Sequence, residues 1–95
     1  MSAGEKQPSP EKRAFAQALT KLRGERHLTQ EALAAKSGYH SKYISLLERG
    51  RYSPSLTTIL ELSEALQISA SDLVSRVEKL LPKNRRRRRE TRQIR

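Results

Sequence analysis

Signals that start and stop helices recur along this chain at intervals too short for a long helix. Residues that favour a helix N-cap precede apolar residues at helical spacing at four places: Ser9, Thr29, Ser55 and Ser69. Residues that end helices lie between or after these segments: Gly38, Gly50 and Pro82. No stretch shows the alternation of apolar and polar residues that is typical of a strand. The pattern predicts five short helices joined by brief connections, with helix 3 spanning about 41–49.

Apolar residues recur at helical spacing in three of the predicted helices, so that each has one face to bury. These residues are Phe15, Leu19 and Leu22 in helix 1, Leu56, Ile59, Leu62 and Leu66 in helix 4, and Leu73, Val77 and Leu80 in helix 5. Packing these faces together predicts a compact all-α domain over residues 10–82. The polar segment 1–9 and the basic segment 83–95 lack any periodicity and are expected to be disordered tails.

The composition argues against several classes of protein. A chain of 95 residues supports one small domain, and without cysteine it has neither disulfides nor thiolate metal sites. No apolar run approaches the roughly 18 residues of a membrane span, so we expect a cytoplasmic protein that does not associate with membranes. No acidic residue accompanies His27 or His40 at ligand spacing, which argues against a metal site.

The sequence also lacks the usual marks of catalysis. It has no glycine-rich phosphate loop, and no histidine and carboxylate grouped with a plausible nucleophile. We therefore expect no enzyme activity, no cofactor and no small-molecule ligand.

Positive charge is distributed unevenly along the chain, whose net charge is +10. Residues 83–95 contain eight basic residues against Glu90, a net +7, whereas residues 11–82 contain eleven basic and eight acidic residues, a net +3. Within the domain, residues 36–51 are basic and residues 56–81 are slightly acidic. This asymmetry favours a polyanion as the partner on one side and a protein on the other.

The stretch "SGYHSKYIS", residues 37–45, opens helix 3 with more long polar side chains than a structural helix in a small protein needs. Ile44 and Leu47 are expected to hold this helix to the core. At about 100° per residue, the other side of the helix, which is expected to be exposed, contains four residues: Ser41, Lys42, Ser45 and Leu46. Lysine and serine can bond to base edges, and leucine can contact a thymine methyl. This face therefore either reads DNA or is simply the solvated face of an amphipathic helix.

Residues 28–74 resemble the helix-turn-helix domain of the Cro and phage-repressor family, also called XRE-like regulators. The residues in register with the family pattern are Gln30, Ala34, Gly38, Ile44, Leu47, the "ERG" at 48–50 and the "PSL" at 54–56. One departure is His27, where family members often have glycine. Histidine tolerates a positive φ better than most residues, so the fold is still expected.

The resemblance implies a fold like that of lambda repressor and a transcriptional regulator that binds specific sequences in double-stranded DNA. It implies base contacts from the first two residues of helix 3 and from about one turn later, which correspond to Ser41, Lys42 and Leu46, with Ser45 adjacent. Gln30 matches a glutamine that binds a phosphate and braces helix 3. Arg23 and Glu48 match a structural ion pair of the family.

Further residues around helix 3 are candidates for the DNA backbone. Arg49, Arg51 and Tyr52 follow the helix and are expected along the sugar-phosphate backbone, where contacts position a protein without reading sequence. His40 is expected to cap helix 3 and to touch a phosphate. Tyr43 should pack beside the core, and its hydroxyl is a candidate for contact with a phosphate. Tyr39 occupies a position that is usually apolar in the family, which favours packing against the core.

The arginine-rich tail adds five consecutive candidates for phosphate contacts: Arg85, Arg86, Arg87, Arg88 and Arg89. Fully extended, its 13 residues would reach roughly 40 Å, which is enough to follow the phosphates or to enter a narrow minor groove. A solvated tail and an arginine-rich segment that folds on binding RNA remain open.

One module of this kind covers only about 600–1,000 Å² on DNA, so we expect a homodimer that reads an inverted repeat. Apolar residues outside the inner faces of helices 4 and 5 are the candidates for its interface: Leu60, Val74 and Leu81.

The favoured function is a repressor. The alternatives are an antitoxin or partner-binding adaptor, a restriction-modification controller protein and, less favoured, an RNA-binding or architectural protein that depends on the tail. A protein partner would be a toxin or RNA polymerase.

Overall fold

The protein folds into five helices, seen in a computed structural model that describes residues 8–82. The helices are α1 (Pro10–Glu25), α2 (Gln30–Ser37), α3 (Ser41–Glu48), α4 (Leu56–Ala65) and α5 (Ala70–Lys79). Residues 8–82 contain no strand, and the predicted all-α class with five helices is confirmed. The predicted tail at 83–95 and most of the one at 1–9 lie outside the described residues.

Side-chain caps begin the helices where the sequence predicted them. Ser9 Oγ accepts a hydrogen bond from the Lys12 N–H at 3.2 Å, and Pro10 follows it as the first helical residue. The hydroxyls of three further caps accept from the N–H three residues later: Thr29 from Ala32, Ser55 from Thr58 and Ser69 from Asp72. Each cap satisfies a donor that the first helical turn cannot, which contributes about 0.5–2 kcal/mol.

The core is made of Phe15 and of aliphatic side chains from all five helices. Eight of them are completely buried: Leu19, Leu22, Leu33, Ile44, Leu47, Leu62, Leu66 and Leu73. Burial of each contributes about 1.5–3 kcal/mol. Helix α3 packs against α1 and α2, while α5 packs against α1 and α4. One side of the eight-residue α3 is therefore committed to the core through Ile44 and Leu47.

Two leucines that were predicted on inner faces are exposed instead. Leu56 is 71% exposed and Leu80 is 47% exposed. Leu56 is the first residue of α4, and side chains lean toward the helix N-terminus, so it extends past the surface that α4 buries. Leu80 lies beyond the last residue of α5, as its C-cap. Periodicity gives the side of a helix on which a residue lies, but not where the neighbouring helices end.

Residues with positive φ end several of the helices. His27 adopts the predicted left-handed conformation, with φ of 57°. Gly50 has φ of 73°, and a Cβ atom there would lie 3.3 Å from Pro8 Cβ. The carbonyl of Pro8 also accepts a hydrogen bond from Arg13 Nη1 at 2.9 Å. Because Gly50 has no side chain, the segment before α1 can lie directly against the turn that follows α3.

Replacement of Gly50 by alanine should therefore cost more stability than the same change at Gly38. Gly38 has φ of 81°, and nothing lies within 4 Å of a new Cβ there. Gly38→Ala should therefore lose only the stability that a left-handed alanine costs, about 1–2 kcal/mol. Gly50→Ala adds crowding against Pro8, roughly 1 kcal/mol more. Urea unfolding followed by far-ultraviolet circular dichroism measures both free energies. Equal losses in the two variants would remove the role assigned to the Pro8 contact.

Candidate nucleic-acid interface

Helices α2 and α3 are joined by a three-residue turn. Gly38 ends α2 in the left-handed conformation, and its N–H donates to the Ala34 carbonyl at 2.9 Å. The Tyr39 N–H donates to the same carbonyl at 3.0 Å. His40 then caps α3, because its Nδ1 accepts from the Lys42 N–H at 3.1 Å. The turn is closed by hydrogen bonds at each step, which fixes the angle between the two helices.

The structure brings together the four residues predicted to contact bases, although it covers them more than was expected. Lys42 is exposed, whereas Ser41, Ser45 and Leu46 are half-buried. The prediction that all four are exposed is confirmed for Lys42 and was wrong for Ser41, Ser45 and Leu46. The backbone turns after α3, where the Arg51 N–H donates to the Leu46 carbonyl at 3.0 Å. Lys42 is the most accessible member of the group.

A carboxylate at the last residue of α3 ties that helix to two others. Glu48 accepts hydrogen bonds from Arg23 Nε at 2.6 Å and from Arg23 Nη2 at 3.0 Å. Gln30 Nε2 donates to the same carboxylate at 2.9 Å, while Arg23 Nη1 donates to the Leu28 carbonyl at 2.8 Å. The hydrogen bond to Glu48 raises the pKa of Arg23. The expected ion pair is present, and Gln30, which was expected to brace helix 3, bonds to the end of α3 away from Ser41 and Lys42.

The two tyrosines beside α3 are half-buried and pack against the core. The Tyr39 hydroxyl donates to the Glu61 carboxylate, which raises the pKa of Tyr39, and it lies 3.1 Å from Thr58 Oγ1. The packing expected of Tyr39 is confirmed. Its polar partners Thr58 and Glu61 were missed, although a hydroxyl at a position that is usually apolar already signals the need for a partner.

The residues after α3 that are expected along the DNA backbone lie on the surface. Arg49 and Arg51 are exposed, and Tyr52 is 51% exposed. All three directly follow α3. The candidates Arg85, Arg86, Arg87, Arg88 and Arg89 lie outside the described residues.

The apolar candidates for a dimer interface differ in accessibility. Leu60 and Val74 are 51% and 42% exposed, whereas Leu81 is half-buried. Leu56 and Leu80, at the ends of the same two helical segments, are also exposed, although the sequence predicted that they lie in the core. The structure thus offers more apolar surface at α4 and α5 than was predicted.

No helix within residues 8–82 has the length and apolar character needed to cross a membrane. In the same part of the chain, no three or more His, Cys, Asp or Glu residues are grouped so that they could hold a metal ion.

Residues 19–73 match the helix-turn-helix family HTH_3. The chain belongs to this helix-turn-helix family. The matched range runs from the middle of α1 into α5 and includes the whole of α2 and α3, so the resemblance inferred from the sequence is confirmed.

Two curated proteins and one solved structure show what this chain is similar to. The HTH-type transcriptional regulator y4dJ of Sinorhizobium fredii, itself uncharacterized, is 47% identical over 55 residues, which are 58% of this chain and 71% of that protein. The immunity repressor protein of Bacillus phage phi105 is 41% identical over 58 residues, which are 61% of this chain and 40% of that protein. The crystal structure of the restriction-modification controller protein C.AhdI from Aeromonas hydrophila has a TM-score of 0.66 and 38% identity, and the match covers 68% of this chain and 98% of that one.

In this helix-turn-helix protein, loss of the Glu48 carboxylate should be costly. The Glu48 and Arg23 side chains are only 6% and 19% exposed, so Glu48→Ala leaves a largely buried guanidinium without its partner. We expect the free energy of unfolding to fall by about 2–3 kcal/mol, somewhat below the range for fully buried pairs. Urea unfolding measures the change.

Arg76→Ala is the matched control. It removes an ion pair with Glu25 of 3.2 Å whose side chains are 36% and 38% exposed. Exposed pairs contribute at most about 1 kcal/mol. Losses of similar size in the two variants would mean that Glu48 does not tie the helices together.

Proposed function

We propose that this protein is a transcriptional repressor that recognises an operator in double-stranded DNA through α3, inserted in the major groove, and that it acts as a homodimer. The observation that carries the proposal is a helix-turn-helix in which Ile44 and Leu47 bury one side of α3 while Lys42 is exposed on the other. Recognition helices contact base edges mainly with residues near their N-terminus. Lys42 is the second residue of α3.

Four residues of α3 are assigned to base contacts: Ser41, Lys42, Ser45 and Leu46. The Lys42 ammonium can donate to O6 and N7 of guanine, and the two serines can donate to or accept from several base edges. Leu46, which is half-buried, retains surface for contact with a thymine methyl group. Lys42 should therefore supply most of the discrimination.

Six residues around α3 are assigned to the sugar-phosphate backbone: Gln30, His40, Tyr43, Arg49, Arg51 and Tyr52. Arg49 and Arg51 offer exposed guanidinium groups, which pair well with phosphate oxygens. Gln30 begins α2 and bonds to Glu48, so that a phosphate held there is linked to the end of α3. The arginines at 85–89 would add contacts that are sensitive to salt but independent of sequence.

The homodimer is assigned to the end of α4 and to α5. Leu60 and Val74 are exposed apolar residues there, and Leu81, which follows α5, is half-buried. The exposure of Leu80 adds a further apolar residue to this surface. A second copy that covers these side chains would place two α3 helices on one duplex.

A role as the controller of a restriction-modification system is the second candidate. The match to C.AhdI, named as such a controller, covers 98% of that protein at 38% identity. That role also requires a small regulator that binds an operator, so the two candidates differ in the regulated gene and not in the chemistry of α3.

Selection of random duplex DNA by the full-length protein, at about the physiological 150 mM salt, tests the proposed function. We expect an enriched inverted repeat whose half-sites lie about 34–36 Å apart, or a multiple of that distance, as for dimeric helix-turn-helix proteins. A single enriched half-site would argue against the dimer. A bound pool without enrichment would contradict sequence-specific recognition.

Two variants separate base contacts from backbone contacts. Lys42→Ala should relax the preference at one or two base pairs in each half-site, by about 1–3 kcal/mol against the wrong base. Arg51→Ala should weaken binding to all duplexes about equally and reduce the slope of affinity against salt by about one. Titrations of the selected operator and a scrambled duplex measure both effects. Identical behaviour of the two variants would refute this assignment of contacts.

A further inference from the structure

All three tyrosines of the chain form one row across the end of the helix-turn-helix. The ring centroids of Tyr39 and Tyr43 are 5.2 Å apart, and those of Tyr43 and Tyr52 are 6.2 Å apart. The rings are tilted by 39° and 31°. Centroid separations of about 4.5–7 Å are those at which aromatic pairs attract each other. The row runs from the turn before α3, over α3, to the segment that follows it.

Tyr39 connects this row to α4 through its hydroxyl. It donates to the Glu61 carboxylate and lies 3.1 Å from Thr58 Oγ1. A phenol has a single hydroxyl proton, so Thr58 is the donor in the second contact. Ser55 Oγ lies 3.0 Å from Thr58 Oγ1 and is then the donor to it. One directed chain of hydrogen bonds therefore leads from the N-cap of α4 through Tyr39 to Glu61.

The row and the hydrogen-bond chain hold residues 49–55 at two points. Tyr52 stacks on Tyr43, and Ser55 is linked to Tyr39 through the buried Thr58. The segment is neither helix nor strand. The N–H groups of Arg49, Gly50 and Arg51 donate to carbonyls of α3, and the contacts of Tyr52 and Ser55 fix the rest of the segment.

The same segment includes Arg49 and Arg51, which are assigned to the DNA backbone, whereas the base contacts are assigned to α3. Backbone contacts set the register of a protein on DNA, and base contacts then read the sequence. If the segment shifted relative to α3, the arginines could still reach phosphates while α3 lost its alignment with the bases. Non-specific affinity would survive, and discrimination would not.

We infer that the tyrosine row and its anchor on Glu61 complete the positioning of residues 49–55 relative to α3, which the backbone hydrogen bonds of residues 49–51 begin, and that Tyr39 is a positioning residue for sequence discrimination. This inference rests on the proposed function, since it requires a protein that distinguishes DNA sequences. Tyr39 acts indirectly, through its contacts with α4 and α3, because its hydroxyl is bonded to groups within the protein.

The test compares the affinity of the full-length protein for its selected operator with that for a scrambled duplex, at several salt concentrations. Tyr39→Phe keeps the ring and removes the hydroxyl. We expect the ratio of the two affinities to fall roughly tenfold, the scale of one hydrogen bond to a charged group. The salt dependence of binding to the scrambled duplex should not change, because no cation is removed. Unfolding curves show that the binding is measured on folded protein.

Glu61 provides a matched pair of variants on the other side of the hydrogen bond. Glu61→Gln and Glu61→Ala remove the same charge, but only glutamine can still accept from Tyr39. The ratio of affinities should be largely kept in Glu61→Gln and lost in Glu61→Ala. The double variant of Tyr39→Phe and Glu61→Ala should lose no more than either single variant, since both break one contact.

Tyr52→Phe is the control for the loss of a tyrosine hydroxyl. It keeps the stacking on Tyr43, so any lost backbone contact should weaken binding to both duplexes equally. The inference would be overturned if Tyr39→Phe kept the wild-type ratio of affinities, or if Tyr52→Phe lowered that ratio as much as Tyr39→Phe does. Either result would leave the proposed function intact. Wild-type protein that binds both duplexes equally would instead remove the proposed function.

Amide hydrogen exchange in the absence of DNA tests the structural half of the inference separately. The Arg51 N–H donates to the Leu46 carbonyl at 3.0 Å, so it reports on the position of the segment. Its exchange should become faster in Tyr39→Phe and in Glu61→Ala but not in Tyr52→Phe. Unchanged exchange in all three variants would show that the row does not hold the segment.

Discussion

The carboxylate of Glu48 is the point at which the three helices of the proposed DNA-binding half meet. It belongs to the last residue of α3 and accepts from Arg23 of α1 and Gln30 of α2. An eight-residue helix such as α3 is not stable alone, because isolated helices shorter than about 12–15 residues are marginal in water. Ile44 and Leu47, both completely buried, turn one side of it toward the core. The planar fork of Arg23 has a defined geometry and reinforces that orientation.

Much of the fold could be predicted because its helix boundaries are set locally. Ser9, Thr29, Ser55 and Ser69 cap helices within three residues of themselves, and such contacts are visible in the sequence. The exposure of Leu56 and Leu80 could not be predicted in the same way. It depends on where one helix extends past another, which is a property of tertiary packing.

The candidate site divides along the same line. Helical periodicity places Lys42 opposite Ile44, as the structure has it. The half-burial of Ser41, Ser45 and Leu46 is a property of tertiary packing, which periodicity does not describe. The bonds from Gln30 to Glu48 and from Tyr39 to Glu61 join residues 18 and 22 positions apart. Neither bond was predicted, although the resemblance to a family implied that Gln30 braces helix 3.

The way α3 is held also bears on how such a protein can change over evolutionary time. Its supports are Ile44 and Leu47 on the inner side and Glu48 at the end, whereas Ser41 and Lys42 lie at its start. Substitutions at Ser41 and Lys42 leave those supports in place, so they need not be compensated elsewhere in the core. Under the proposed assignment of base contacts, gene duplication followed by a few changes at these positions would yield regulators with new operators on an unaltered scaffold.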